Sequence, residues 1–128
     1  MPEPRTTRAG QPPSGARPAT GIADPLTPGW WYDGDVFRWG NEVFERARGC
    51  EALIVDELGP VEILGGRGWT HPLEQLVAGD FKTAIVVCRP GLLDHFMALV
   101  GREPDWVFEV TVENRDGLPA AIADAVIG

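Results

Sequence analysis

Short apolar runs alternate with helical stripes along most of this chain. Ala52-Leu53-Ile54-Val55 and Thr83-Ala84-Ile85-Val86-Val87-Cys88 are continuous stretches of strand length, each closed by charged or turn residues. That pattern predicts strands buried on both faces, as in a parallel sheet. From Trp106 to Val112 the apolar positions Trp106, Phe108, Val110 and Val112 alternate with Val107, Glu109 and Thr111, which predicts a third strand. Helices are predicted between the strands. From about Asp35 to Arg48, Val36, Val43 and Ala47 share one stripe with Phe37 and Phe44 beside it; Gly49 supplies the stop, and Gly40 weakens the interior slightly. Thr70 or His71 caps a second helix, with Pro72 in its first turn and Gly79 at its end. After Arg89-Pro90-Gly91, the residues Leu92, Leu93, Phe96, Met97 and Val100 make the core face of a third, stopped by Gly101; Pro119 opens a final Ala-rich helix. Helices and strands in this order predict an α/β fold with about three parallel strands and flanking helices.

Composition divides the chain in two. Residues 1–28 hold seven of the twelve Pro and only Ile22 and Leu26 as large aliphatic residues, so they are expected to be a disordered Pro/Gly/Arg-rich tail. Residues 29–128 are expected to form one domain, with a hydrophobic content of 44% for the whole chain and five Trp to build its core. The total charge is −8; the tail sets Arg5, Arg8 and Arg17 against Glu3 and Asp24, which leaves −9 on residues 29–128. A surface this acidic disfavours nucleic acid as a partner. Cys50 and Cys88 are too few and too far apart for a disulfide framework or a zinc site, and Cys88, at the end of an apolar run, reads as a buried, inert thiol. His71 and His95 have no partner at metal-ligand spacing and read as structural. No apolar stretch approaches the length of a membrane span and the N-terminus lacks the apolar core of a signal peptide, so the expected location is the cytoplasm.

The densest chemistry lies where the first apolar run ends, in Asp56-Glu57 followed by Gly59-Pro60. Carboxylates at the C-terminal end of a buried parallel strand stand where open α/β sheets bind ligands. The first can hold a Mg²⁺ ion; the second can orient or deprotonate a water. The alternative is an acid that only caps a turn, and the residues by themselves leave both open.

Four strings occur in order: Trp39-Gly40-Asn41-Glu42, Val55-Asp56-Glu57-Leu58-Gly59-Pro60-Val61-Glu62, Gly66-Arg67-Gly68-Trp69 and Glu113-Asn114-Arg115-Asp116-Gly117-Leu118-Pro119. Together they resemble the C-terminal part of the P-loop nucleoside-triphosphatase family first known from thermophiles, also called cancer-related nucleoside-triphosphatases. The resemblance covers about residues 30–128. It implies an incomplete three-layer P-loop NTPase-like domain, the C-terminal part of an enzyme that converts NTP (ATP or GTP) to NDP and phosphate with Mg²⁺, and inactive without its P-loop-bearing half. Asp56 would be the Walker B acid acting on the metal through water, and Glu57 the residue polarising the attacking water. Arg89, after the next strand, would sense the γ-phosphate; it can equally pair with an acidic surface. Asn114 and Arg115 would lie near the base, although turn and cap chemistry accounts for them as well. Arg67 reads either as a charge-stabilising finger or as a solvated side chain, Trp69 as a base-stacking or a core residue, and Glu62 as a group that helps shape the water site.

The family's G-x-x-x-x-G-K-[ST] string occurs nowhere in these 128 residues, and the only lysine is Lys82. Without backbone N–H groups around the β-phosphate and a lysine on the γ-phosphate, phosphoryl transfer loses most of its positioning. If the sheet follows the strand order usual for such NTPases, the resemblance implies that the first, P-loop strand is missing from between the strands ending at Cys88 and Val112, exposing their edges. The chain is expected to be a half encoded apart from its P-loop half, a truncated frame or a relic, completed by a companion P-loop chain or by homo-oligomerisation. The competing expectation is a non-catalytic nucleotide-sensing or protein-interaction module derived from the same fold.

Overall fold

The computed structural model describes residues 6–8 and 21–127; the remainder of the predicted tail lies outside the described residues. Two short parts of that tail are strands. Thr6–Arg8 (β1) and Gly21–Ala23 (β2) flank Trp30–Asp33 (β3) in an antiparallel sheet, with Thr7 opposite Trp31 and Ile22 opposite Tyr32. These strands are three or four residues long, too short to show the alternation by which strands are predicted.

The chain then alternates as predicted. Helix α1 (Gly34–Arg46) is capped by Asp33, whose side chain accepts the Asp35 N–H at 2.9 Å. Strand β4 (Cys50–Val55) leads through the short helix α2 (Pro60–Ile63) to α3 (Thr70–Ala78), which ends on Gly79 in the left-handed conformation. Strand β5 (Phe81–Val86) lies parallel to β4, with Leu53 opposite Ala84 and Val55 opposite Val86. A 3₁₀ turn over Pro90–Leu92 enters α4 (Leu93–Val100), stopped by the left-handed Gly101, and α5 (Leu118–Ile127) closes the chain. The molecule is thus mixed α/β, with a parallel sheet of two strands rather than three. Residues 106–112, predicted as the third strand, join no ladder among the described residues. None of the described helices is long and apolar enough to cross a membrane.

Leu53, Val55, Leu58, Ile63 and Leu76 form the buried core, with Phe44, Phe81 and Phe96 packed against it. Gln75, also buried, donates to the carbonyls of Ala47 (3.0 Å) and Asp80 (2.9 Å), tying the end of α1 to the start of β5. Gly40 is where α1 meets the Trp69 indole, and a Cβ there would collide with its Nε1. Alanine is the better helix former by about 0.8–1 kcal/mol. Overpacking costs about 1–3 kcal/mol, so Gly40→Ala is expected to lower the melting temperature in a thermal melt. A rise would mean that the indole moves aside freely.

Candidate functional site

The turn after β4 is unusual in its backbone. Glu57 has φ 68°, the one non-glycine at positive φ among the described residues. Its neighbour Leu58 is fully buried, and Leu58 N–H donates to the Val87 carbonyl at 3.3 Å. Burying Leu58 inward while the chain leaves the strand turns Glu57 outward, a conformation that side chains of its kind seldom adopt. Arg89, just past the end of β5, donates from Nε to Glu57 Oε1 at 2.6 Å. The two strand ends of the parallel sheet are joined there by a charge-assisted bond.

Asp56, Glu57 and Arg89 border a cleft of about 250 Å³. Tyr32, Asp33 and Phe37 from the β3–α1 junction form one wall, and Gly59, Glu62 and Trp69 another. The rings of Tyr32 and Phe37 stack with centroids 5.3 Å apart, and Phe37 meets Trp69 edge-on at 5.9 Å. Asp56 is exposed and Glu57 half-buried, so both carboxylates are open to the cleft and to water.

A net of hydrogen bonds fixes the wall over residues 59–71. Buried Glu62 accepts the Gly59 N–H on Oε1 (3.0 Å) and the Trp69 N–H on Oε2 (3.1 Å). Burial pushes its carboxyl above the ordinary glutamate value, and the two N–H donors offset part of that rise. Asn41 donates to the Gly68 carbonyl (3.0 Å) and accepts the His71 N–H (3.1 Å), while His71 Nδ1 lies 2.7 Å from the Asn41 carbonyl, the geometry of a ring N–H donating to it. Arg67 reaches away from the cleft and grips Asp24 with Nε and Nη2 at 2.8 and 3.0 Å.

That grip holds the Asp24 carboxyl below its usual value of 3.8. A carboxyl depressed in the fold contributes stability above its unfolded pKa and loses it as pH falls through the folded one. The melting temperature of Asp24→Asn is therefore expected below that of the parent at neutral pH. The two should converge as the solution is acidified through the depressed value. A gap that persists at low pH would place the effect elsewhere.

Of the residues singled out in the sequence, the structure brings Asp56, Glu57 and Arg89 to one cleft and places Glu62 and Trp69 in its wall. Asn114 and Arg115 are not among the cleft's walls. The Asn114 side chain accepts the Thr111 N–H (2.7 Å) and donates to the Glu109 carbonyl (2.7 Å), and the Asn114 backbone N–H donates to the Thr111 hydroxyl oxygen (3.2 Å), so this residue organises the turn. Arg115 is exposed, with Asp116 at 3.9 Å. Cys88 is half-buried, and burial followed by the Glu57 charge pushes its thiol up, away from the reactive thiolate. The aromatic wall went unpredicted; the only signal for it is the run Trp30-Trp31-Tyr32-Asp33 directly before a helix.

No group of three or more His, Cys, Asp or Glu residues suited to a metal occurs among the described residues. The donors at the cleft are oxygens, the carboxylates of Asp33, Asp56, Glu57 and Glu62 and the hydroxyls of Thr27 and Tyr32, with Asp56 open to solvent. Such a set fits Mg²⁺, which keeps several waters and takes only one or two carboxylates, and does not fit a caged transition metal. No protein-family model, curated protein or solved structure matches the chain.

Proposed function

We propose that the cleft is the metal-and-water side of a nucleoside-triphosphate hydrolysing centre, within an incomplete P-loop NTPase-like domain. The supporting observation is the meeting of Asp56, Glu57 and Arg89 at the carboxyl ends of two parallel strands, where such sheets bind ligands. Asp56 would hold Mg²⁺ through its water shell. Bound there, the ion would neutralise charge on the phosphate oxygens. Glu57 would orient the attacking water and take its proton, which requires that Arg89 first let go of it. Arg89, released onto an anionic phosphoryl group, would neutralise charge that develops there. A P-loop segment outside these 128 residues would grip the β- and γ-phosphates.

The test is hydrolysis of Mg²⁺-ATP and Mg²⁺-GTP by the purified chain, alone and mixed with a strand–G-x-x-x-x-G-K-S–helix segment. The chain alone should not exceed its Glu57→Gln variant; the mixture should. Robust turnover by the chain alone would overturn the division of labour. One observation favours the second reading, a module that senses nucleotide without hydrolysis: Glu57 is already engaged by Arg89 at 2.6 Å. A thermal shift with Mg²⁺-ATP or Mg²⁺-GTP, unaccompanied by turnover in the mixture, would favour that module.

A further inference from the structure

A second cavity, of about 460 Å³, opens beside the cleft. Thr27, Tyr32, Glu57, Pro60 and Arg89 line both, so the Glu57–Arg89 pair stands at the boundary. The two sides differ in chemistry. Asp33, Asp56 and Glu62 line the cleft alone, whereas the residues that line the second cavity alone are Leu26, Pro28 and Trp30, all apolar. Its volume lies within the range of small-molecule pockets, about 300–1,000 Å³. A ligand that fills both has a charged, metal-binding end and an apolar end.

The apolar wall is formed before any ligand arrives. Trp30 and Tyr32 stand two apart on β3 and share one face of that strand, with Trp31 on the other. Pro28 and Pro60 add rigid rings. The turn that carries Leu26 and Thr27 is fastened at Asp24, which is only 7% exposed. Its carboxylate accepts the Leu26 N–H at 2.9 Å and is gripped by Arg67, and its carbonyl accepts the Thr27 N–H at 3.1 Å. Arg67, a candidate charge-stabilising finger by sequence, instead holds this wall. A wall fixed in advance lowers the ordering cost of binding.

We infer that the second cavity is a stacking slot for the purine ring of a nucleotide whose phosphates occupy the cleft, a site that reads ring area and not base edge. The inference rests on the nucleotide reading above and adds where the base goes. The side chains that line the slot alone offer one polar group, the Trp30 indole N–H, which donates and cannot accept. Every base has a π-face, and stacking strength sets the preference where base edges go unread. Adenine and guanine are therefore bound alike, and the smaller pyrimidines less well. Asn114 and Arg115, which the resemblance put near the base, line neither cavity.

The experiment is saturation-transfer NMR on the full chain with adenosine, which has a base and no phosphate, and with Mg²⁺-ATP. In both ligands the adenine protons should take up more saturation than the ribose protons. Trp30→Ala should weaken binding of both by about fivefold or more. Leu26→Glu, which leaves β3 as it is and places a carboxylate in the apolar wall, should do so as well. Trp106→Ala, at an exposed tryptophan that lines neither cavity, should change nothing. Guanosine should displace adenosine at a similar concentration, and cytidine only at about threefold more or higher. Mg²⁺-ATP that binds the parent and both slot variants alike would overturn the slot and leave the phosphate reading standing. Adenosine bound through Trp30 with no gain from the triphosphate would uphold the slot and overturn that reading. Adenine protons without saturation in either ligand would overturn the inference. So would displacement of adenosine by far less N-acetyl-tryptophanamide, which would give the slot to a peptide side chain.

Discussion

Gly68→Ala is expected to lower the melting temperature by about 15 °C or more, while Gly66→Ala, two residues earlier, lowers it by only about 5 °C. Both glycines have positive φ, 72° and 64°. Placing a side chain in that region costs about 1–2 kcal/mol at either position. The surroundings differ: a Cβ on Gly66 meets nothing, whereas one on Gly68 runs into the Glu62 carboxylate. Glu62 cannot move without releasing the Gly59 and Trp69 N–H groups. Each buried polar group left unpaired costs about 1–3 kcal/mol, so the larger loss belongs to the bonds and not to the glycine itself. Differential scanning calorimetry of the two variants measures the contrast. Equal losses would show that Glu62 is not what holds residues 59–69 in place.

The elements that the sequence makes legible are those with a period. The runs ending at Val55 and Cys88 give the strands β4 and β5, but not strands buried on both faces: Leu53 and Val55 are buried while Ala52 and Ile54 are exposed, because the described helices pack this core on one face of a two-stranded sheet; α1, predicted over 35–48, spans Gly34–Arg46. The meeting of Asp56, Glu57 and Arg89 was legible for the same reason, since parallel strands bring their carboxyl ends to one edge. What escaped was non-local. The strands β1, β2 and β3 are too short for a pattern, and their pairing depends on backbone groups that every residue shares. Arg67 and Asp24 are 43 residues apart, so a finger and a structural anchor look alike in sequence. Gly40 reads as a weak point in a helix until Trp69, far along the chain, is seen to need the space. Segment 106–112 has the correct alternation but pairs with no strand among the described residues; pattern reports what a segment can do, and a ladder takes two.

Replacing Glu57 separates what holds the fold from what serves the cleft. In a completed site, Glu57→Gln and Glu57→Gly are both expected to reduce turnover by about 10²–10⁴-fold, the usual contribution of a positioned base. Their stabilities should diverge from that loss. The Arg89 pair is exposed, with side chains 65% and 42% accessible, so breaking it costs at most about 1 kcal/mol. Glycine relieves a left-handed residue of about 1–2 kcal/mol of strain but makes the unfolded chain freer, which returns about 0.4–1 kcal/mol. Glu57→Gly should therefore melt within a few degrees of the parent, or slightly above it, and Glu57→Gln close to it. Turnover and melting curves on the same preparations check both halves. A strained residue whose removal leaves the fold intact and the reaction lost is what a site built for a ligand requires; if Glu57→Gly instead unfolds the chain, the strain at φ 68° belongs to the packing of Leu58, and the carboxylate has no claim to a role with water.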